Sequence, residues 1–159
     1  MRMLRLSKLT DYGTVIMAYM ARQQERVLAA PELAVAIGVA TPTASKILKL
    51  LARGGLLRSV RGATGGYMLS RPAGEISIAQ VIDAMEGPIG LTECSVIAGL
   101  CAQEEACSIR GNWQRINLVI RHALDQITLA EMARPAFRPV LVQVESRGTA
   151  AARARLKEI

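Results

Sequence analysis

Pro31-Glu32-Leu33-Ala34-Val35-Ala36-Ile37-Gly38-Val39-Ala40-Thr41-Pro42-Thr43-Ala44-Ser45-Lys46-Ile47-Leu48-Lys49 carries two helix-start signals in close succession. Pro31 fits the first position of a helix, where the missing N–H costs nothing, and Gly38 supplies the stop. Thr41-Pro42 repeats the signal, a cap residue followed by a helix-compatible proline, for a helix to about Arg53 that Gly54-Gly55 ends. Ala44, Ile47, Leu48 and Leu51 fall on one face of it. Leu33 and Ala34 turn the preceding helix inward, with Ala34 small enough for close contact, and Val39 fills the angle between the two. Two short helices joined by Gly38-Val39-Ala40 spell a helix-turn-helix.

The residues that follow extend this motif. Leu56-Leu57-Arg58-Ser59-Val60 has the character of a strand, Arg61 to Gly66 of a glycine-rich turn, and Tyr67-Met68-Leu69 of a returning strand. A hairpin directly after the second helix of such a pair is a wing. Gly65 and Gly66 would let backbone approach a surface closely, and Arg61 puts a cation at the tip. A phosphate-cradling loop does not fit, because no Gly-Lys-Ser/Thr follows and no helix opens from the turn.

Outside this unit, Leu9, Tyr12, Ile16, Tyr19 and Met20 mark a first helix over about Lys8 to Gln23, with Ser7 as its cap. Arg2, Arg5 and Lys8 crowd its start, where cations oppose the helix dipole and contact with phosphate would favour them. Ser77-Ile78-Ala79-Gln80 is a capping box opening a helix to about Met85, which Gly87-Pro88 ends. A helix returns from about Ile109 to Ala123 with Trp113, Ile116, Val119, Ile120 and Ala123 along one stripe. Thr128 to Glu131 forms a second capping box, and Pro135 stops the short helix it begins. The expected fold is mainly α with a small β-hairpin.

Composition limits the function classes. Half of the 159 residues are apolar, but only five are aromatic, so the core must be aliphatic. The longest apolar run, Val15 to Ala21, has seven residues, far short of the ~18 of a membrane span. The first residues lead into an amphipathic pattern instead of a signal-peptide apolar region. A cytoplasmic protein without a membrane partner is expected. Twenty Lys and Arg against thirteen Asp and Glu give +7, a balance suited to nucleic acid or an anionic membrane surface without choosing between them. Cys94, Cys101 and Cys107 are the only cysteines and lie within fourteen residues. An odd, clustered set in a reducing compartment suggests a metal centre or redox switch, not a disulfide framework. Soft thiolates suit iron–sulfur iron. No pair has the C-x-x-C spacing of zinc ribbons, although zinc and a bare thiol switch stay open.

Several motifs carry a resemblance to a known family. Met3 to Gly13, the wing Val60 to Leu69, Glu86-Gly87-Pro88 and the three-cysteine loop resemble the IscR/NsrR/RirA family of bacterial transcription regulators. Thr92-Glu93-Cys94, Asn112 to Asn117 and Ile127 to Met132 resemble its branch linked to the SUF iron–sulfur assembly system. The resemblance runs over residues 3 to 135 in the expected order. It implies a homodimer of winged-helix domains, with the helix around Trp113 crossing between subunits. It also implies an iron–sulfur cluster on Cys94, Cys101 and Cys107, 2Fe–2S ahead of 4Fe–4S. The corresponding division is residues 1–90 for the winged domain, 91–108 for the cysteine loop, 109–135 for the dimerisation helix and the short helix after it, and 136–159 for a tail.

Three cysteines leave one ligand to find. Some relatives use a histidine three residues after the last cysteine, where this chain has Arg110. His122, the only histidine, is expected on a surface or interface. Other relatives supply an acidic residue from the partner subunit's first helix, and Asp11 occupies that motif position. An acid in a first turn is also favoured by the helix dipole alone.

A regulator of this kind would bind double-stranded operator DNA. Thr43 and Ser45 on the second helix of the motif would be placed to meet base edges, and Lys46 and Lys49 phosphates. Arg5, Lys8, Arg61, Gly65 and Gly66 complete the expected DNA surface. The expectation is a repressor of iron–sulfur assembly genes with no small-molecule substrate; the alternative is a thiol- or zinc-based winged-helix regulator without a cluster. Enzymatic chemistry has little support: there is no nucleotide fingerprint, no Ser/His/Asp set and one histidine. A winged helix that serves only protein interaction is the third class.

Overall fold

The structure is a computed structural model and describes residues 6–23, 26–96, 99, 101–102 and 106–134. Arg5 and the expected tail over 136–159 lie outside the described residues. Helix α1 spans Lys8–Arg22, and Ser7 caps it by accepting the Thr10 amide at 3.2 Å. The expected stripe faces inward, but the buried arc is wider. Ile16, Met17 and Thr10 are fully buried, whereas Leu9, Tyr12 and Tyr19 are half-buried. The reason is packing on several sides, since α1 touches most of the other elements of the unit.

Helices α2 (Ala30–Ile37) and α3 (Thr41–Arg53) meet at a bend of 112°, within the range of helix-turn-helix pairs. Gly38 sits in the left-handed region at φ 71°, which lets its amide and that of Val39 close the end of α2 on the Ala34 carbonyl. Two sequence details are corrected. Pro31 is the second helical residue, after Ala30, and Thr41 is the first residue of α3 instead of its cap. Ala40 holds the cap position with no side-chain bond, and its carbonyl accepts the Thr43 and Ala44 amides at 2.9 and 3.1 Å. The prolines thus occupy first-turn positions where no amide partner is needed.

Strands β1 (Leu57–Val60) and β2 (Gly66–Leu69) pair antiparallel, Leu57 opposite Leu69 and Val60 opposite Gly66. Leu56, expected in the strand, precedes it, because its amide still bonds to the Leu51 carbonyl of α3 at 3.0 Å. On its other edge β2 meets Leu28, which exchanges two hydrogen bonds of 2.9 Å with Tyr67.

A 3-10 turn over Ala73–Glu75 leads to α4 (Ile78–Glu86), where Ser77 and Gln80 form the expected reciprocal box. Thr128 and Glu131 do the same for α7 (Leu129–Met132). The two helix starts lie side by side: the Ile78 amide donates to the Ile127 carbonyl at 2.9 Å, and the Leu129 amide to Ile76 at 2.8 Å. α7 is therefore anchored in the winged unit, with Leu129 fully buried. Between them come α5 (Glu93–Val96), a helical turn that the aperiodic sequence did not announce, and α6 (Arg110–Asp125).

The core is aliphatic, as composition requires. Ile16, Met17, Leu33, Ile47, Leu48, Leu51, Ile76, Val81 and Leu129 are shielded from solvent. Among the described residues no single helix is long and apolar enough to cross a membrane.

Candidate nucleic-acid interface and cysteine segment

The buried face of α3 leaves an opposite face outward. Ser45, Lys46, Lys49 and Arg53 gather there with Pro42 and Leu50 around a shallow depression. Lys46, Lys49 and Arg53 are exposed, and Thr43 and Ser45 are half-buried, so the hydroxyls lie near the foot of a cationic ridge. Arg53 was missed by the sequence reading. Its signal is the helical spacing of four from Lys49, which prolongs the same face by a turn.

The wing carries further cations. Arg61 is exposed at the start of the turn, immediately after β1, and Arg58 is exposed within β1 opposite Met68. Arg58 could have been found from strand alternation, since it points away from the side that Leu57 buries. Gly65 and Gly66 have reasons internal to the chain for lacking a side chain. A Cβ at Gly66 would strike the Leu28 backbone, and one at Gly65 would strike the Val60 and Gly62 carbonyls. Lys8 and Asp11 are exposed on the first turn of α1.

The cysteine segment is seated on α6. Cys94 belongs to α5, which packs on α6. Cys101 and Cys107 are free and half-buried. Three soft sulfur donors close in sequence suit iron–sulfur iron. Among the described residues no three His, Cys, Asp or Glu side chains are gathered as a metal-holding group. His122 is exposed on the last turn of α6.

Polar contacts fasten this region to the winged unit. Arg121 of α6 forms a two-pronged ion pair with Asp83 of α4, at 3.2 and 2.7 Å. Hydrogen bonding to Asp83 raises the Arg121 pKa above its usual value, so the guanidinium stays charged. Asp83 also accepts the Ile89 amide at 3.2 Å. Asn117 is the buried residue of α6. Neither the Arg121–Asp83 pair nor the burial of Asn117 was visible in the sequence, where Asn117 stands between Ile116 and Leu118.

The rest of α6 is bare on its apolar side. Ile116, Leu118 and Val119 are 44%, 66% and 60% exposed, and Ile109 and Trp113 are exposed beside them. The expected stripe thus exists but faces away from this chain's core. Asn112, Arg115, Ile116, Val119 and Ile120 line a shallow trough along it.

The family model for Rrf2, described as an iron-dependent transcriptional regulator, matches residues 6–135. Protein aau3 of Rhizobium meliloti (strain 1021) is 34% identical over 123 residues, 77% of this chain and 75% of that protein. Among solved structures, CymR (YrzC), the global cysteine regulator of B. subtilis, superposes with a TM-score of 0.64 at 28% identity, covering 82% of this chain and 97% of CymR. IscR of T. potens gives a TM-score of 0.59 at 27% identity, covering 81% of this chain and 85% of IscR.

Proposed function

This chain belongs to the Rrf2 family of DNA-binding transcriptional regulators, which are not enzymes, and we propose that within it the chain is a cluster-sensing repressor of iron–sulfur assembly genes. The observation that carries this reading is the seating of α5, with Cys94, on α6, the helix that also presents a bare apolar face. A change in the cysteine segment would there be felt by the helix that joins two copies. The resemblance to the IscR/NsrR/RirA regulators supports the same assignment.

Cys94, Cys101 and Cys107 would hold the cluster, 2Fe–2S ahead of 4Fe–4S. When bound it supplies a crosslink among three points of the segment. Asp11, exposed on the first turn of α1, is assigned as a ligand reaching the partner subunit's site. The apolar face of α6 is assigned to the homodimer contact. Lys46, Lys49 and Arg53 would neutralise phosphates, Thr43 and Ser45 would meet base edges in the major groove, and Arg61 would reach the minor groove or backbone. Arg5, Lys8 and the backbone at Gly65 and Gly66 complete the proposed surface.

Anaerobically purified protein tests the reading through its visible absorption and its mobility shift on the promoter of an iron–sulfur assembly operon. A coloured protein whose operator affinity changes on cluster loss is expected. A colourless protein whose affinity follows thiol oxidation or zinc would establish the alternative regulator, a possibility kept in view by the likeness to CymR.

A further inference from the structure

Asn117 is 6% exposed, and its side chain spends its hydrogen-bonding capacity on one target. Its Oδ1 accepts the Leu91 amide at 3.3 Å, and its Nδ2 donates to the Ile89 carbonyl at 3.1 Å and the Ser95 carbonyl at 3.4 Å. All three partners are backbone groups of the segment that ends in α5, and Ser95 adjoins Cys94. An asparagine offers an acceptor and two donors on one short, stiff side chain, a combination that no apolar residue of its size can imitate. Buried in an otherwise apolar stretch of α6, it would be costly without these partners. Asp83 of α4 holds the same segment through the Ile89 amide.

We propose that Asn117 is a positioning residue of the sensor: it fixes the backbone that carries Cys94 to α6, and so sets how firmly the cysteine segment holds its ligand. The side chain's hydrogen bonds go to backbone groups, and it acts through the segment. This inference rests on the cluster reading for its consequence, but not for the seat itself.

Hydrogen exchange on the full-length, cluster-free protein tests the seat. In wild type the Leu91 amide should exchange more slowly than a free chain. In Asn117→Leu and Asn117→Asp the segment over 89–95 should exchange about three- to tenfold faster, the size expected for one or two lost hydrogen bonds. Amides of α3 serve as an internal control for folding. On loaded protein, the visible absorption should decay about three- to tenfold faster under a chelator in both variants.

A Leu91 amide that exchanges at the free-chain rate in wild type overturns the proposal without any variant. Unchanged exchange in both variants overturns it as well. Faster exchange with unchanged chelator decay would reduce Asn117 to a packing contact and overturn the positioning role. If wild type takes up no cluster, the proposed function fails, and the exchange measurement still decides the seat.

Discussion

The carboxylate of Glu86 accepts a hydrogen bond from the hydroxyl of Thr10, joining the last residue of α4 to the first turn of α1. The same oxygen accepts the Ser7 amide at 2.7 Å. Glu86 thus serves as a second cap for α1, supplied from the far end of the winged unit. Its neighbours, Gly87 and Pro88, begin the path to the cysteine segment.

These bonds favour the ionised form, so the Glu86 pKa lies below its usual 4.5, the Thr10 hydroxyl being the largest cause and the Ser7 amide the next. A carboxylate lowered in the folded state contributes stability that is complete above its ordinary pKa and lost as pH falls through its lowered value. Glu86→Gln is expected to be less stable at pH 7 by under about 1 kcal/mol, because the group is exposed and screened. Thermal melts of the two proteins should converge only once pH has fallen below that lowered value. A constant offset at every pH would show that packing, not charge, sets the difference.

Operator binding should be strongly salt-dependent. A dimer that neutralises about 6–10 phosphates loses roughly 10³–10⁵ in affinity between about 50 and 200 mM salt. Lys49→Ala should weaken binding to every sequence alike and flatten the salt slope by about one per subunit. Arg61→Ala should cost about 1–3 kcal/mol if the side chain makes a specific base contact. A flat salt profile in mobility shifts would remove the DNA role of the α3 ridge.

Ile116→Lys and Val119→Glu place charges on the bare face of α6. Each is expected to convert a dimer to a monomer in sedimentation, with the far-ultraviolet helix signal retained. These side chains are about half exposed in the single chain, so the winged unit loses little by their replacement. A wild-type chain that sediments as a monomer at micromolar concentration would sink the assignment of this face.

Cys101→Ala should remain folded and dimeric while losing its visible absorption and much of its operator affinity. Among the described residues the buried core is drawn from α1 to α4, the wing root and α7, and Cys101 and Cys107 are outside it. Asp11→Ala should give a milder form, with a more labile cluster and unchanged dimerisation. Coupling of the usual size, about 1–3 kcal/mol, would separate loaded and empty proteins by roughly five- to 150-fold on one operator. Equal affinity would leave a DNA-binding protein with a structural metal site.

The elements were legible where local chemistry determines them. Ser7, Ser77 and Thr128 were readable as caps because a side-chain oxygen and an amide three residues on need nothing else. Gly38 was readable because a left-handed residue at that turn favours glycine. What escaped depends on distant partners. Nothing around Glu86 announces Ser7 and Thr10, and nothing around Asn117 announces Leu91 or Ser95. The same holds for the wing glycines, read as room for an approaching surface, whereas a Cβ at Gly66 would collide with Leu28 across a chain separation that no motif encodes. The α5 turn was missed because four residues carry too little period to detect.

The pairing of Leu28 with Tyr67 has a consequence for how the wing meets a ligand. A hairpin hydrogen-bonded along one side only would lose much backbone freedom when it docks. Here the outer side of β2 is already tied to the connection that enters α2, so β2 is held from both sides. Docking of the wing would then resemble the landing of a rigid body. Its strands would lose little backbone entropy on binding, and affinity would track the placement of the whole head.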